Sequence, residues 1–265
     1  MALDPALLSP GQRYLPGILG GLGPFSHVEF EREILALGQR RGARGDRDHP
    51  VWLLASAAST PGRTDALLAG GASPLPHLTA FARLLERSGA DLLFLICNTA
   101  HAWHAEVQNA LKIPLAHLMD LTAGAVAAAY PAGTRVGLLA TDGTLHAGLY
   151  QRALQKRGLV AVAPASGSEI QARVGKAIGD PRIGIKATGD GVAPEARDHL
   201  LAAARWCLDQ GARIVVPACT EVSVGLTADV FAEAPLVDPV VVAAEALLDV
   251  AYGMREPQSL RQGAG

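Results

Sequence analysis

The sequence predicts an α/β fold of two similar lobes, each a mostly parallel sheet flanked by helices, and three observations carry that prediction. Apolar runs of strand length alternate with segments of helical periodicity along nearly the whole chain, the order that produces parallel sheets. Two of those runs end in the same grammar: Leu92-Leu93-Phe94-Leu95-Ile96 runs into Cys97-Asn98-Thr99-Ala100-His101, and Ile214-Val215-Val216-Pro217-Ala218 into Cys219-Thr220-Glu221. A small-residue turn also occurs twice, as Gly20-Gly21-Leu22-Gly23-Pro24 and as Thr141-Asp142-Gly143-Thr144, and the second copy of each feature lies about 120 residues after the first. One offset for both pairs implies a duplicated architecture, with all four turns at strand carboxyl ends, where α/β folds bind ligands.

The chain of 265 residues, 49% hydrophobic, is long enough to bury a sizeable core. A net charge of −2 and a pI near 6.4 give no electrostatic footprint for nucleic acid or an anionic membrane, so the expected partner is a small molecule. No apolar run reaches bilayer length, and Met1-Ala2-Leu3-Asp4-Pro5 lacks the basic and apolar regions of a secretory leader, which makes the cytoplasm the expected compartment. Three cysteines, an odd and low number, point to free thiols rather than a disulfide framework.

Taken in order, residues 1–14 read as a loose leader. Leu15 to Gly20 reads as a short strand entering the glycine turn, and a helix follows over His27 to Leu37, with Ser26 and Glu29 at capping-box spacing. Glycines such as Gly21 and Gly23 let backbone N–H groups approach an anion. Val51 to Ala55 is the next strand, and the loop after it carries Pro61-Gly62-Arg63-Thr64, where a guanidinium is placed to grip a carboxylate in bidentate fashion. Leu75 to Gly89 is a helix, Asp91 to Ile96 a strand, Asn98 to Leu111 a helix, Ile113 to Leu115 a short strand and Leu121 to Ala129 a helix. Arg135 to Ala140 is a strand, followed by the threonine turn and a helix through Leu154; Ser166 to Ala177 is helical, and Gly179 to Ala193 is a loop holding Lys186. Pro194 to Gln210 is a helix with Leu200, Ala204, Cys207 and Leu208 on one face, which makes Cys207 a core filler. Asp238 precedes a last helix over Val240 to Tyr252, and 255–265 reads as a frayed tail.

Four readings of the remaining cysteines compete. Cys97, His101 and His104 share a helical face and suggest a metal, although the ligand count falls short of a structural zinc site. Cys97 with a histidine base suggests a nucleophile, and two thiols suggest a redox pair. In the fourth reading the two thiols are acid and base on opposite faces of a stereogenic carbon, one removing a proton and the other delivering one, which inverts the centre. It alone uses both cysteines symmetrically, each at a strand end and helix start where N–H groups favour thiolate.

These motifs resemble those of the cofactor-independent aspartate/glutamate racemases. The resemblance runs from about Leu15 to Tyr252 through the glycine turn, Pro61-Gly62-Arg63-Thr64, Cys97-Asn98-Thr99-Ala100-His101, Gly137 to Thr144, Lys186 in an Ile-Lys-x-x-Gly context, and Cys219-Thr220-Glu221. It implies two pseudo-symmetric lobes with an active-site cleft between them: 15–117, completed by 232–254, and 118–231. It also implies a homodimer that uses neither pyridoxal phosphate nor metal. Cys97 and Cys219 would be the acid/base thiols. Asn98, Thr99, Thr141, Thr144 and Thr220 match positions that bind the substrate's carboxylate and amine, and Arg63 and Lys186 match positions that hold carboxylates. Gly21, Gly23 and Glu221 complete the expected substrate-binding set. Ala57, Gly62, Ala218 and Val222 depart from the common pattern and bear on side-chain specificity. The expected reaction is racemisation of a small acidic amino acid; a maleate-type cysteine isomerase and a non-catalytic dicarboxylate-binding protein are the alternatives.

Overall fold

The computed structural model describes residues 4–189 and 191–261. Parts of the expected leader, of the Lys186 loop and of the tail, at 1–3, 190 and 262–265, lie outside the described residues. Strands β1 (Pro16–Gly20), β2 (Leu53–Ser56), β3 (Leu92–Leu95) and β4 (Leu115–Ala116) form one parallel sheet in the order β2-β1-β3-β4. Strands β5 (Arg135–Leu139), β6 (Val160–Val162) and β7 (Ile214–Pro217) form a second parallel sheet in the order β6-β5-β7. Leu236 adds a parallel bridge to Val215 on the outer side of β7, the place that β4 occupies beside β3. The two sheets therefore repeat one topology, with β1 equivalent to β5 and β3 to β7. The inner strands β1, β3 and β7 are buried throughout, as strands covered on both faces must be, and that is why they read as continuous apolar runs rather than alternating ones.

The helices are α1 (Pro24–Arg40), α2 (Arg63–Leu68), α3 (Leu75–Arg87), α4 (His104–Asn109), α5 (Leu118–Ala129), α6 (Asp142–His146), α7 (Leu149–Gln155), α8 (Glu169–Gly179), α9 (Ile185–Thr188), α10 (Pro194–Asp209), α11 (Thr220–Gly225) and α12 (Pro239–Ala251). The chain divides into two units. Unit 1 comprises Met1–Gly62, Gly71–Leu118 and Val240–Gly265; unit 2 comprises Arg63–Gly70 and Met119–Pro239. Two boundaries differ from the expected ones. The segment before α12 belongs to unit 2, because Leu236 extends the β7 edge. The short helix α2 with Arg63 also belongs to unit 2, because it packs on α6.

Unit 1 packs α3 over β1, β2 and β3, with Leu78, Ala82 and Leu85 buried against Leu19, Leu93 and Leu95. In unit 2, α8 and α10 pack together over β5 and β7, and the core runs through Leu139, Val174, Ile178, Leu200, Cys207 and Val215. Cys207 is fully buried, as its helical face predicted, and a Cβ on Gly137 would sit 2.7 Å from its Cβ, so α10 approaches β5 closely.

Local corrections have local causes. The first helix begins at Pro24 with Gly23 as N-cap, and Ser26 is buried inside it instead of capping it; proline at the first helical position has its φ preset and lacks only an N–H that would be orphaned anyway. Phe30, Ile34 and Leu37 of that helix are buried, while Phe25 and Val28 are exposed. The helix expected over Asn98 to Leu111 is a 3₁₀ segment, Thr99–Trp103, followed by α4. The helix expected through Leu154 is broken into α6 and α7 at Gly148, whose φ of +61° suits glycine. Strand β6 was not anticipated, and α9 interrupts the expected loop around Lys186. The leader is tied down from Ser9 onward: Gln12 bonds the carbonyls of Tyr14 and Val51, and the Arg13 amide bonds Ala251. In the tail, Pro257–Leu260 forms a 3₁₀ turn and Leu260 is buried.

Candidate active site

The repeated topology places the motif residues in matching registers. In unit 1, Leu19 of β1 pairs with Leu95 of β3, and the chains continue two residues further to Gly21 and Cys97. In unit 2, Leu139 of β5 pairs with Pro217 of β7, and two residues further lie Thr141 and Cys219. Each unit thus presents a small-residue turn beside a cysteine turn at adjacent strand carboxyl ends, where parallel sheets bind ligands.

In unit 1, Gly21 has φ +83°, and a Cβ there would collide with the Ala57 amide nitrogen, so only glycine lets the turn pass under the Ala57 loop. Its N–H donates to His27 Nδ1 at 3.1 Å; burial holds the His27 imidazole below its ordinary pKa, with Glu31 pulling the other way. That N–H, expected to face an anion, is committed within the fold. Cys97, Asn98 and Thr99 are all buried. The Cys97 carbonyl accepts a hydrogen bond from His101 Nδ1 at 2.9 Å, and the Leu118 N–H donates to His101 Nε2 at 3.2 Å. With both ring nitrogens engaged by the main chain, His101 has no lone pair to offer a metal ion. Among the described residues no cluster of His, Cys, Asp and Glu is arranged to hold one.

In unit 2, Thr141 caps α6 by accepting from the Thr144 N–H at 3.1 Å, and its hydroxyl donates to the Thr144 hydroxyl at 3.0 Å. Arg63 starts α2, which packs on α6, so the guanidinium belongs to the same unit as the threonine turn. Cys219 is the N-cap of α11, its carbonyl accepting from the amides of Val222 and Ser223. Its thiol donates to Glu221 Oε2 at 2.9 Å, and the Thr220 hydroxyl donates to the same oxygen at 3.3 Å. Two donors converging on one oxygen suit an ionised carboxylate. Burial, followed by the Glu221 charge and its hydrogen bond, pushes the Cys219 thiol well above its ordinary range, while Lys186 opposes the shift. Lys186 is exposed on α9, which packs against α11.

Three features of unit 2 escaped the sequence reading. Glu221, expected among the substrate-binding residues, has its carboxylate hydrogen-bonded to the thiol, a contact the spacing did not announce. Tyr150 is fully buried with its hydroxyl bonded to Thr122, and burial raises its pKa well above the usual phenol value, with the Asp238 carboxylate adding to the shift. Ser223 donates to Asp238 at 2.9 Å, so Asp238 holds the helix that starts at Cys219. A Glu two residues after Cys219 was the only visible sign of any of this.

A duplicated parallel α/β chain with a cysteine turn at the same register in each unit defines the class of protein: an α/β enzyme scaffold with paired strand-end thiols. The chain belongs to the Asp/Glu/Hydantoin racemase family, whose model matches residues 19–247. The broad-specificity amino-acid racemase RacX of Bacillus subtilis is 32% identical over 149 residues, a match that spans 54% of this chain and 61% of that protein. The aspartate racemase of Picrophilus torridus superposes with a TM-score of 0.77 at 26% identity, covering 90% of this chain and 94% of that one. The glutamate racemase of Francisella tularensis, solved in complex with D-glutamate, shares the fold at a TM-score of 0.59 and 14% identity, over 97% of this chain and 86% of that one. Among the described residues no helix is long and apolar enough to cross a membrane.

Proposed function

We propose that the protein racemises a small acidic amino acid, aspartate or glutamate, by proton transfer between two thiols and without a cofactor. The observation that carries this reading is the Cys219–Glu221 hydrogen bond of 2.9 Å at a strand end whose equivalent in the other unit is Cys97. A buried thiol next to a carboxylate stays protonated and so is available as a proton donor, with a base beside it that can take its proton.

The protons balance in both directions. When the α-hydrogen faces Cys219, the thiol first passes its proton to Glu221, and the thiolate then takes the α-hydrogen. The resulting carbanion takes the Cys97 proton from the opposite face, leaving a Cys97 thiolate and a protonated Glu221; exchange with solvent then returns a proton to Cys97 and removes one from Glu221. For the other enantiomer the steps run in reverse: Cys97 starts as thiolate and takes the α-hydrogen, the carbanion takes the Cys219 proton, and Glu221, protonated at the start, returns its proton to the Cys219 thiolate. Negative charge developing on the substrate carboxylate would be met by Thr141, Thr144, Asn98, Thr99 and Thr220, and the distal carboxylate by Arg63 and Lys186. The proposal includes a homodimer, as the family resemblance implies, in the cytoplasm, the compartment expected from the sequence.

Incubation of single enantiomers of aspartate and glutamate in D₂O, followed by proton NMR and chiral chromatography, tests it. The expected result is α-deuteration together with appearance of the opposite enantiomer. Absence of both from every amino acid tried would sink the reading.

A further inference from the structure

His101, His104 and His117 form a buried group beside the Cys97 turn to which the racemisation chemistry assigns no work. The rings of His101 and His104 stack at 5.6 Å and 12°, and His117 stands edge-on to both at 5.4 and 4.7 Å. Their hydrogen bonds define tautomers. Leu118 N–H points at His101 Nε2, so that nitrogen carries the lone pair and the ring proton sits on Nδ1, where it is donated to the Cys97 carbonyl. His104 Nε2 faces the Leu115 carbonyl at 2.9 Å and therefore carries its own ring's proton.

The need for this bond follows from the backbone. In an α-helix the Cys97 carbonyl would accept from the N–H of residue 101. Here that N–H goes to Asn98 at 3.1 Å, because the segment is 3₁₀, and the Cys97 carbonyl is left facing the interior. The side chain of the same residue restores the lost donor, while its far nitrogen ties the turn to the amide that opens α5. Burial, then His117 and His104, hold the His101 imidazole well below its ordinary pKa, against a smaller opposite pull from the Cys97 and Ala116 carbonyls.

We propose that His101 is a positioning residue for Cys97: a neutral imidazole, protonated on Nδ1, that clamps the Cys97 carbonyl to the Leu118 amide and so fixes the backbone from which the thiol projects. The kinetic consequence rests on the two-thiol reading; the tautomer and the clamp do not.

Three measurements on the full chain test it. Long-range proton–nitrogen NMR of histidine-labelled protein should show His101 as the Nδ1–H tautomer from about pH 8 to about pH 6; an imidazolium or Nε2–H pattern overturns the clamp. In a Cys219→Ala background, His101→Ala should raise the rate of Cys97 alkylation by iodoacetamide about tenfold by loosening the turn, and His101→Asn, which keeps a donor near the Nδ1 position, should return it close to the parent rate. Equal rates in all three proteins overturn it. In otherwise intact enzyme whose turnover has been demonstrated, His101→Ala should lower kcat about 10- to 100-fold with little change in KM, and His101→Asn should recover much of the loss. A normal kcat with the NMR pattern intact rejects the positioning role alone, whereas the expected NMR and alkylation without any turnover rejects the racemase reading alone. If His101→Ala does not fold, the NMR pattern and the His101→Asn enzyme still decide the matter.

Discussion

The Cys97 and Cys219 turns occupy the same register of a repeated sheet, yet their surroundings have opposite characters. Around Cys97 the side-chain bonds go to the main chain: His101 holds the carbonyl and no carboxylate approaches the thiol within hydrogen-bonding distance among the described contacts. Around Cys219 the main chain caps a regular helix by itself, and the side chains turn to the thiol, with Glu221 on the sulfur and Lys186 acting against it through space. The repeat therefore supplies two equivalent positions for sulfur, and each unit then solves a different problem there. One holds a thiol still; the other holds a thiol protonated beside a base.

The largest effect expected from breaking this pair is loss of either sulfur. Cys97→Ala and Cys219→Ala should each reduce net racemisation by about 10³-fold or more, since inversion needs a group on each face. Each variant should still wash deuterium into the one enantiomer whose α-hydrogen faces the surviving thiol, and the two variants should choose opposite enantiomers. Near-normal racemisation by either protein refutes the assignment.

A smaller effect should come from Glu221→Gln, which keeps an acceptor near Cys219 and removes the base. Turnover is expected to fall about 10²-fold. Because the Glu221 charge and hydrogen bond both raise the Cys219 pKa, its removal should at the same time shift Cys219 alkylation to lower pH. A slower enzyme with a more easily ionised thiol is the signature of a proton relay; unchanged turnover would leave Glu221 a structural residue.

The smallest effect uses Cys207, a buried thiol with neither a clamp nor a carboxylate, as the control for both turns. Burial pushes its pKa up from 9.0 to about 12. Cys207→Ala should leave activity unchanged and cost about 1 kcal/mol of stability, measured by urea unfolding. The fold favours the protonated thiol, so that contribution is complete below the unfolded-state value of 9.0 and declines as pH rises toward about 12. The alanine variant should show a shallower loss of stability across that window.

Much of the fold was legible because the inner strands are covered on both faces. Continuous burial forces the Leu92 and Ile214 runs to be apolar, so they stand out, and the cysteines that follow mark where the cover ends. The edge strand β6 was not legible for the converse reason: three residues with Val160 exposed carry no pattern distinguishable from a loop. Arg63 was expected in the loop after a strand; it opens α2 instead, and that helix contributes to unit 2 through packing on α6, a contact between segments far apart in sequence. Ser26 looked like a cap because its spacing to Glu29 was right, and the rigid ring at Pro24 overrode that spacing.

What the sequence determined by itself is the periodic layout: alternating strands and helices, the shared offset of the turns, and a cysteine at the end of β3 and of β7. These follow from local rules, in which apolar runs must be buried and small polar residues must end them. The tertiary structure alone decided what each sulfur faces. Whether a residue four places after Cys97 bonds through its backbone or its ring depends on the 3₁₀ geometry and on the Leu118 amide arriving from another segment. That the Glu221 carboxylate meets the Cys219 sulfur depends on a 2.9 Å approach inside a buried helix start. Hydrogen bonds are directional and short, so their partners are chosen by three-dimensional packing, while the periodicity that places the strands is already written along the chain.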